Sequence, residues 1–99
     1  MKPLTILSIL ILVSTNIFGQ DKLSLSFSKI AGKYTESIEV KLTSELGNKV
    51  YYTTDGTRPT SESTGYRKAI KISKTTVIRA IVYSRGRRGR IYTNTYLIN

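Results

Sequence analysis

The sequence contains no cysteine, no histidine and no tryptophan, and only two prolines, Pro3 and Pro59. Without cysteine there is no disulfide framework, no thiolate metal ligand and no thiol nucleophile. Without histidine the chain lacks the side chain that ordinarily titrates near neutral pH, and with it the commonest metal ligand. Carboxylates are scarce too: six Asp and Glu stand against 16 Lys and Arg, for a formal net charge of +10. The six are Asp21, Glu36, Glu39, Glu45, Asp55 and Glu62. Nothing in their spacing pairs two of them across a sugar, as glycoside hydrolysis requires. A serine or threonine nucleophile needs an activating base, and the lysines that would serve are scattered along strand faces expected to be exposed. The chain is therefore read as a non-enzyme that uses no cofactor and no metal.

Long apolar runs are absent except at the start. Leu4 to Val13 is apolar apart from Thr5 and Ser8, with Lys2 before it and the small residue Gly19 after it. That pattern predicts a signal peptide over residues 1–19, cut near Gly19. The run is shorter than the about 20 apolar residues a spanning helix needs. Residues 20–99 are then one exported domain, secreted, periplasmic or on the cell surface. A domain of that size has a stability on the order of 5 kcal/mol.

Helical periodicity is also missing. Leu25 and Phe27 alternate with serines, and Ile38, Val40 and Leu42 share a face opposite Glu39, Lys41 and Thr43. Period-2 alternation of this kind predicts strands over Ser24 to Ser28 and Ser37 to Thr43. Val50 to Thr54, Ala69 to Ser73, Thr75 to Ser84 and Arg90 to Ile98 are rich in β-branched and aromatic residues and extend the series. The segment from Thr57 to Arg67 is polar, holds Pro59 and Gly65, and reads as a loop. Short strands at near-regular spacing predict an all-β fold, an immunoglobulin/fibronectin III-like β-sandwich of about seven short strands, preceded by the signal peptide.

The densest local signal is Tyr51-Tyr52-Thr53-Thr54-Asp55-Gly56-Thr57-Arg58-Pro59-Thr60. Here a strand runs into a turn in which Asp55 can bond its own backbone, Gly56 is free to take positive φ and Pro59 removes a donor. Tyr66, Ala69-Ile70-Lys71-Ile72-Ser73 and Thr75-Thr76-Val77-Ile78-Arg79-Ala80 follow, between a Phe27-Ser28, Gly32, Tyr34 opening and a Thr93, Thr95, Tyr96 ending. Across roughly Phe27 to Ile98 this order resembles the chitobiase/β-hexosaminidase C-terminal domain and the related fibronectin type III-associated module. Copies of it also occur in secreted bacterial proteins similar to spore-coat protein H. The one departure is Arg67-Lys68-Ala69, where the family usually has a small residue, Gly or Pro. The resemblance implies a non-catalytic accessory module of a secreted or cell-envelope bacterial protein, structural or carbohydrate-binding. Glycosidase activity in relatives belongs to another domain.

Two residue groups are candidates for contact with a partner. Arg85, Arg87, Arg88 and Arg90 crowd a glycine-containing connection expected to form a hairpin tip, where guanidinium groups hold phosphate, sulfate or uronate through paired hydrogen bonds. The competing reading is a solvated basic turn that also discourages edge-to-edge aggregation. Tyr51, Arg79 and Tyr83 are expected on an outer sheet face, with Val77 and Ile81, as a surface for sugar or protein. The competing reading is cross-strand packing. Asp55, Gly56 and Pro59 are assigned to the turn itself. Partners in view are a polysaccharide or cell-surface glycan, or another envelope protein or domain. Generic attraction to polyanions is also expected, without specific nucleic-acid recognition. A structural remnant of a larger multidomain protein is the alternative that needs no ligand.

Overall fold

The computed structural model describes residues 23–99, and the signal peptide assigned to residues 1–19 lies outside them. Among the described residues the chain is all-β. Its nine strands are β1 (Ser26–Phe27), β2 (Gly32–Tyr34), β3 (Ile38–Val40), β4 (Leu42–Thr43), β5 (Lys49–Thr53), β6 (Thr64–Gly65), β7 (Ile70–Ile72), β8 (Thr76–Ser84) and β9 (Arg87–Ile98). The long β8–β9 hairpin organises the rest, because its β-branched and aromatic residues suit a pleated sheet on both faces. Strands β2, β9, β8, β5 and β6 form one five-stranded sheet in that order, antiparallel except for the parallel β2–β9 pair. Two small antiparallel ladders, β1–β4 and β3–β7, complete the strand pairing.

Three differences from the sequence reading have local causes. Ser37 to Thr43 is two strands, because Ser28 takes both backbone groups of Lys41. Its N–H donates to the Lys41 carbonyl at 2.9 Å, and its Oγ accepts from the Lys41 N–H at 2.8 Å. The residues before Lys41 pair with β7 and those after it with β1. Gly32–Tyr34 and Thr64–Gly65 are strands only through their partners, β9 and β5, since neither carries an alternating pattern of its own. At Arg67-Lys68-Ala69 no residue takes a positive φ, so the turn there does not require the glycine that the family resemblance would place.

One apolar cluster joins the sheet to both ladders. The sheet supplies Ile78, Ala80, Val82 and Tyr96, and the ladders supply Val40, Leu42, Ile70 and Ile72, with Leu25 beside β1. Tyr34, Tyr52, Tyr92 and Ile98 pack against it from the same side of the sheet. Truncating a fully buried Ile in such a cluster costs about 2–5 kcal/mol, comparable to the whole stability of a small domain. Tyr96 is the largest fully buried side chain, at 0 % exposure. Its hydroxyl donates to the Lys29 carbonyl at 2.7 Å and accepts from Asn94 Nδ2 at 3.0 Å. Burial pushes its pKa above the ordinary tyrosine value. The Tyr34 hydroxyl donates to the Ile30 carbonyl at 2.6 Å. These two bonds fix the segment in which the chain leaves the β1–β4 ladder and joins the five-stranded sheet as β2.

Candidate functional site

The Asp55-Gly56 turn closes at the end of β5 as its residue types dictate. Asp55 Oδ1 accepts from the Thr57 N–H at 3.1 Å and from the Thr57 hydroxyl at 2.6 Å, while the Thr53 hydroxyl donates to the Thr57 carbonyl at 2.7 Å. The Thr57 hydroxyl bond, followed by the backbone bond, holds the Asp55 carboxyl below its usual pKa. Gly56 sits at φ 83°, a conformation costly for any residue with a Cβ. Pro59 is fully buried. Arg79 reaches this turn from β8, its Nη1 donating to the Gly56 carbonyl at 3.1 Å. Asp55, Gly56 and Pro59 thus serve the turn, and Arg79 ties the turn down against the sheet.

Strand register then assembles a surface. Directly opposed residues of antiparallel strands share a face, so the side of the sheet away from the cluster carries three rows across β5, β8 and β9. They are Lys49–Tyr83–Arg88, Tyr51–Ile81–Ile91 and Thr53–Arg79–Thr93. Tyr51 and Tyr83 meet edge to face, with ring centroids 5.6 Å apart and planes at 83°, a favoured aromatic geometry. Gly65 of β6 stands opposite Tyr51, and the ring leans over it: a Cβ built there would lie 3.8 Å from Tyr51 Cε1. Ile81 is only 3 % exposed although it points away from the cluster, and its row neighbours Tyr51 and Ile91 flank it on either side. Among the described residues no second layer packs on this face. At the β5–β6 edge a cleft of about 440 Å³ is lined from both sides of the sheet, by Lys49 and Tyr51 of this face, by Leu42, Val50 and Tyr66 of the cluster side, and by Glu45.

The four arginines are not gathered on one tip. Arg85 and Gly86, at φ 52° and 81°, form a two-residue turn with positive φ at both positions, the type I′ geometry that matches strand twist. Arg87, Arg88 and Arg90 therefore lie within β9. The register slips between Ile81 and Tyr83, whose partners are Ile91 and Arg88, so Gly89 and Arg90 form a bulge there. At the bulge a Cβ on Gly89 would lie 3.0 Å from Leu23 Cβ and 3.4 Å from the Val82 carbonyl oxygen, so a larger residue fits only if Leu23 gives way by a few tenths of an ångström. The bulge separates the guanidinium groups. Arg88 faces outward beside Tyr83, while Arg90 lies over the Tyr92 ring, 4.8 Å from its centroid, on the cluster side. Arg85 and Arg87 border another cleft, of about 360 Å³, together with Glu45. Glu45 is brought to this cleft by the β4–β5 turn.

Tyr51, Arg79 and Tyr83 do share the outer face. Lys49 and Ile91, which belong to the same rows, were missed because nothing but strand register links them to Tyr83 and Tyr51. Among the described residues no three His, Cys, Asp or Glu side chains gather in a way that could hold a metal. With this geometry in view, residues 30–93 match the family model described as chitobiase/beta-hexosaminidase C-terminal domain. No curated protein matches the chain.

Proposed function

Because this chain belongs to the chitobiase/β-hexosaminidase C-terminal domain family, we propose that it is a non-catalytic accessory module whose open sheet face docks a glycan. In this reading its architecture is an immunoglobulin-like sandwich, with the five-stranded sheet as one layer and the two ladders as the other. The predicted signal peptide would deliver it to the outside of a bacterial cell, to the periplasm or to the cell surface.

The observation that carries the proposal is the Tyr51–Tyr83 pair, two half-exposed rings in contact on a face that no other layer covers. Aromatic rings present an apolar face with a polar hydroxyl at the rim. That combination suits a pyranose, which is apolar across its C–H faces and polar around its edge. The family supports the accessory role, since its description places such domains at the C-terminus of glycan-cleaving enzymes. The test is retention of the purified protein on insoluble polysaccharides at about 0.5 M salt, where electrostatic attraction is largely screened. Tyr51→Ala and Tyr83→Ala should each weaken retention about tenfold, equivalent to about 1.4 kcal/mol. Retention that ignores both substitutions would remove the face from consideration, and no retention on any polysaccharide would leave the module a purely structural one.

A further inference from the structure

The charge on the five-stranded sheet is entirely of one sign. Its strands carry Lys33, Lys49, Arg79, Arg87, Arg88 and Arg90 and not one Asp or Glu. The acids of the described chain lie off these strands, and of them Glu45, in the β4–β5 connection, lines a cleft together with Lys49. Glu39 is on β3, Glu36, Glu45 and Glu62 are in connections, and Asp55 is engaged by Thr57 at the far end of β5. Register distributes the cations with respect to the ring pair. Tyr83 stands between Lys49 on β5 and Arg88 on β9, both exposed, in a single row across three strands. Two inter-strand spacings separate the flanking backbones, about 10 Å. Arg79, two residues from Ile81 on the same face, is occupied by the Gly56 carbonyl.

We infer that the ligand of this face is an acidic polysaccharide, with a sugar ring on Tyr51 and Tyr83 and its carboxylates held by Lys49 and Arg88. This deepens the glycan-docking reading and rests on it. A neutral polymer would gain nothing from the two exposed cations beside the rings, whereas a uronate chain offers a carboxylate on each sugar. Arg88 supplies a planar fork that matches a carboxylate, and Lys49 a mobile point charge. Nucleic acid suits the face less well. Successive bases stack on separate, accessible ring faces, and here the two rings close on one another edge to face with Ile81 beside them. The Arg85–Arg87 cleft is not used: Arg87 lies opposite Ser84, in the register of the cluster side, away from the rings.

The experiment compares polygalacturonate with the same polymer after methyl esterification, which keeps the sugar and removes the charge. Affinities are measured at about 0.15 M salt for the wild type, Lys49→Ser/Arg88→Ser, Arg85→Ser/Arg87→Ser and Tyr51→Ala/Tyr83→Ala. Thermal unfolding of each confirms the fold. The two arginine-containing double variants lose the same net charge, so they separate a local effect from general basicity. The expected result is at least about tenfold preference for the acidic polymer. That preference should be lost in Lys49→Ser/Arg88→Ser, kept in Arg85→Ser/Arg87→Ser, and accompanied by loss of all binding in Tyr51→Ala/Tyr83→Ala. Equal, tyrosine-dependent affinity for both polymers would overturn the inference and leave glycan docking standing. A preference that survives in Lys49→Ser/Arg88→Ser, or disappears in Arg85→Ser/Arg87→Ser, would overturn it in favour of diffuse charge. Tyrosine-dependent binding of single-stranded DNA that exceeds binding of polygalacturonate would replace the glycan with a nucleic acid. Binding of neither polymer would overturn the inference and leave glycan docking to the retention test on other polysaccharides, whereas binding indifferent to the tyrosines would bring down both readings together.

Discussion

The two faces of β8 are both apolar, yet they are buried by different means. Ile78, Ala80 and Val82 are covered by residues of two other ladders, β1–β4 and β3–β7. Val77, Ile81 and Tyr83 face the other way, and Ile81 is nearly as buried as Ile78 although no layer lies above it. On that side the cover comes from neighbours in the same sheet, Tyr51 and Ile91 across the row. The first kind of burial holds the domain together. The second produces a surface that is apolar, ordered by cross-strand contacts and still open at its rings.

The sharpest way to break this comparison is to truncate one isoleucine from each face. Ile78→Ala leaves a cavity in the closed cluster and should cost about 2–5 kcal/mol in denaturant-induced unfolding. Ile81→Ala should cost clearly less, about 1–2 kcal/mol, because its cover can settle into the space from the solvent side. Equal costs would mean that the outer face is a second core, and its claim as a docking surface would weaken.

A smaller effect is expected at Tyr96, on the closed side. Tyr96→Phe takes the hydroxyl donor from the Lys29 carbonyl, in a part-buried bond, and should cost about 1–2 kcal/mol. The sign of its pH dependence follows from linkage. A phenol whose folded pKa is raised above its ordinary value of 10.0 keeps its full contribution below about pH 10 and loses it as pH climbs toward the folded value. The stability advantage of the wild type over Tyr96→Phe should therefore be flat from pH 7 to about 9.5 and shrink above that. An advantage unchanged at pH 11 would show that the hydroxyl is not held as described.

The smallest effect belongs to Asp55, at the exposed end of the outer face. Its folded pKa is lowered from 3.8 by the Thr57 bonds, so its contribution is complete above about pH 4–5 and is lost as pH falls through the folded value. Comparing Asp55→Asn with the wild type should show a slight difference at neutral pH that fades toward pH 2. A difference that grows in acid would reverse the assignment.

Much of this was readable in the residues. The all-β class, the strand cores of β5, β7 and β8, the Asp55-Gly56 turn and the inward set Ile78, Ala80 and Val82 all follow from local pattern. A period of two and a turn-forming pair act over a few residues. Strands β2 and β6 were not readable, since Gly32-Lys33-Tyr34 and Thr64-Gly65 become strands only by pairing with β9 and β5. The arginine segment was half readable: its glycines announced a hairpin, but Arg85 rather than a second glycine accompanies Gly86 in the turn. That shift put Arg87, Arg88 and Arg90 into the strand and, with the bulge, onto different faces. Lys49 gained its place beside Tyr83 solely through register.

Alternation of residue types and the positions of the turns depend on neighbours along the chain, and net charge on composition, so all three are fixed before any strand pairs. The tertiary structure decided which strands lie side by side and in what register. That choice fixed which cations flank which rings, since pairing joins residues tens of positions apart, and a shift by one residue would have exchanged the two faces of the sheet.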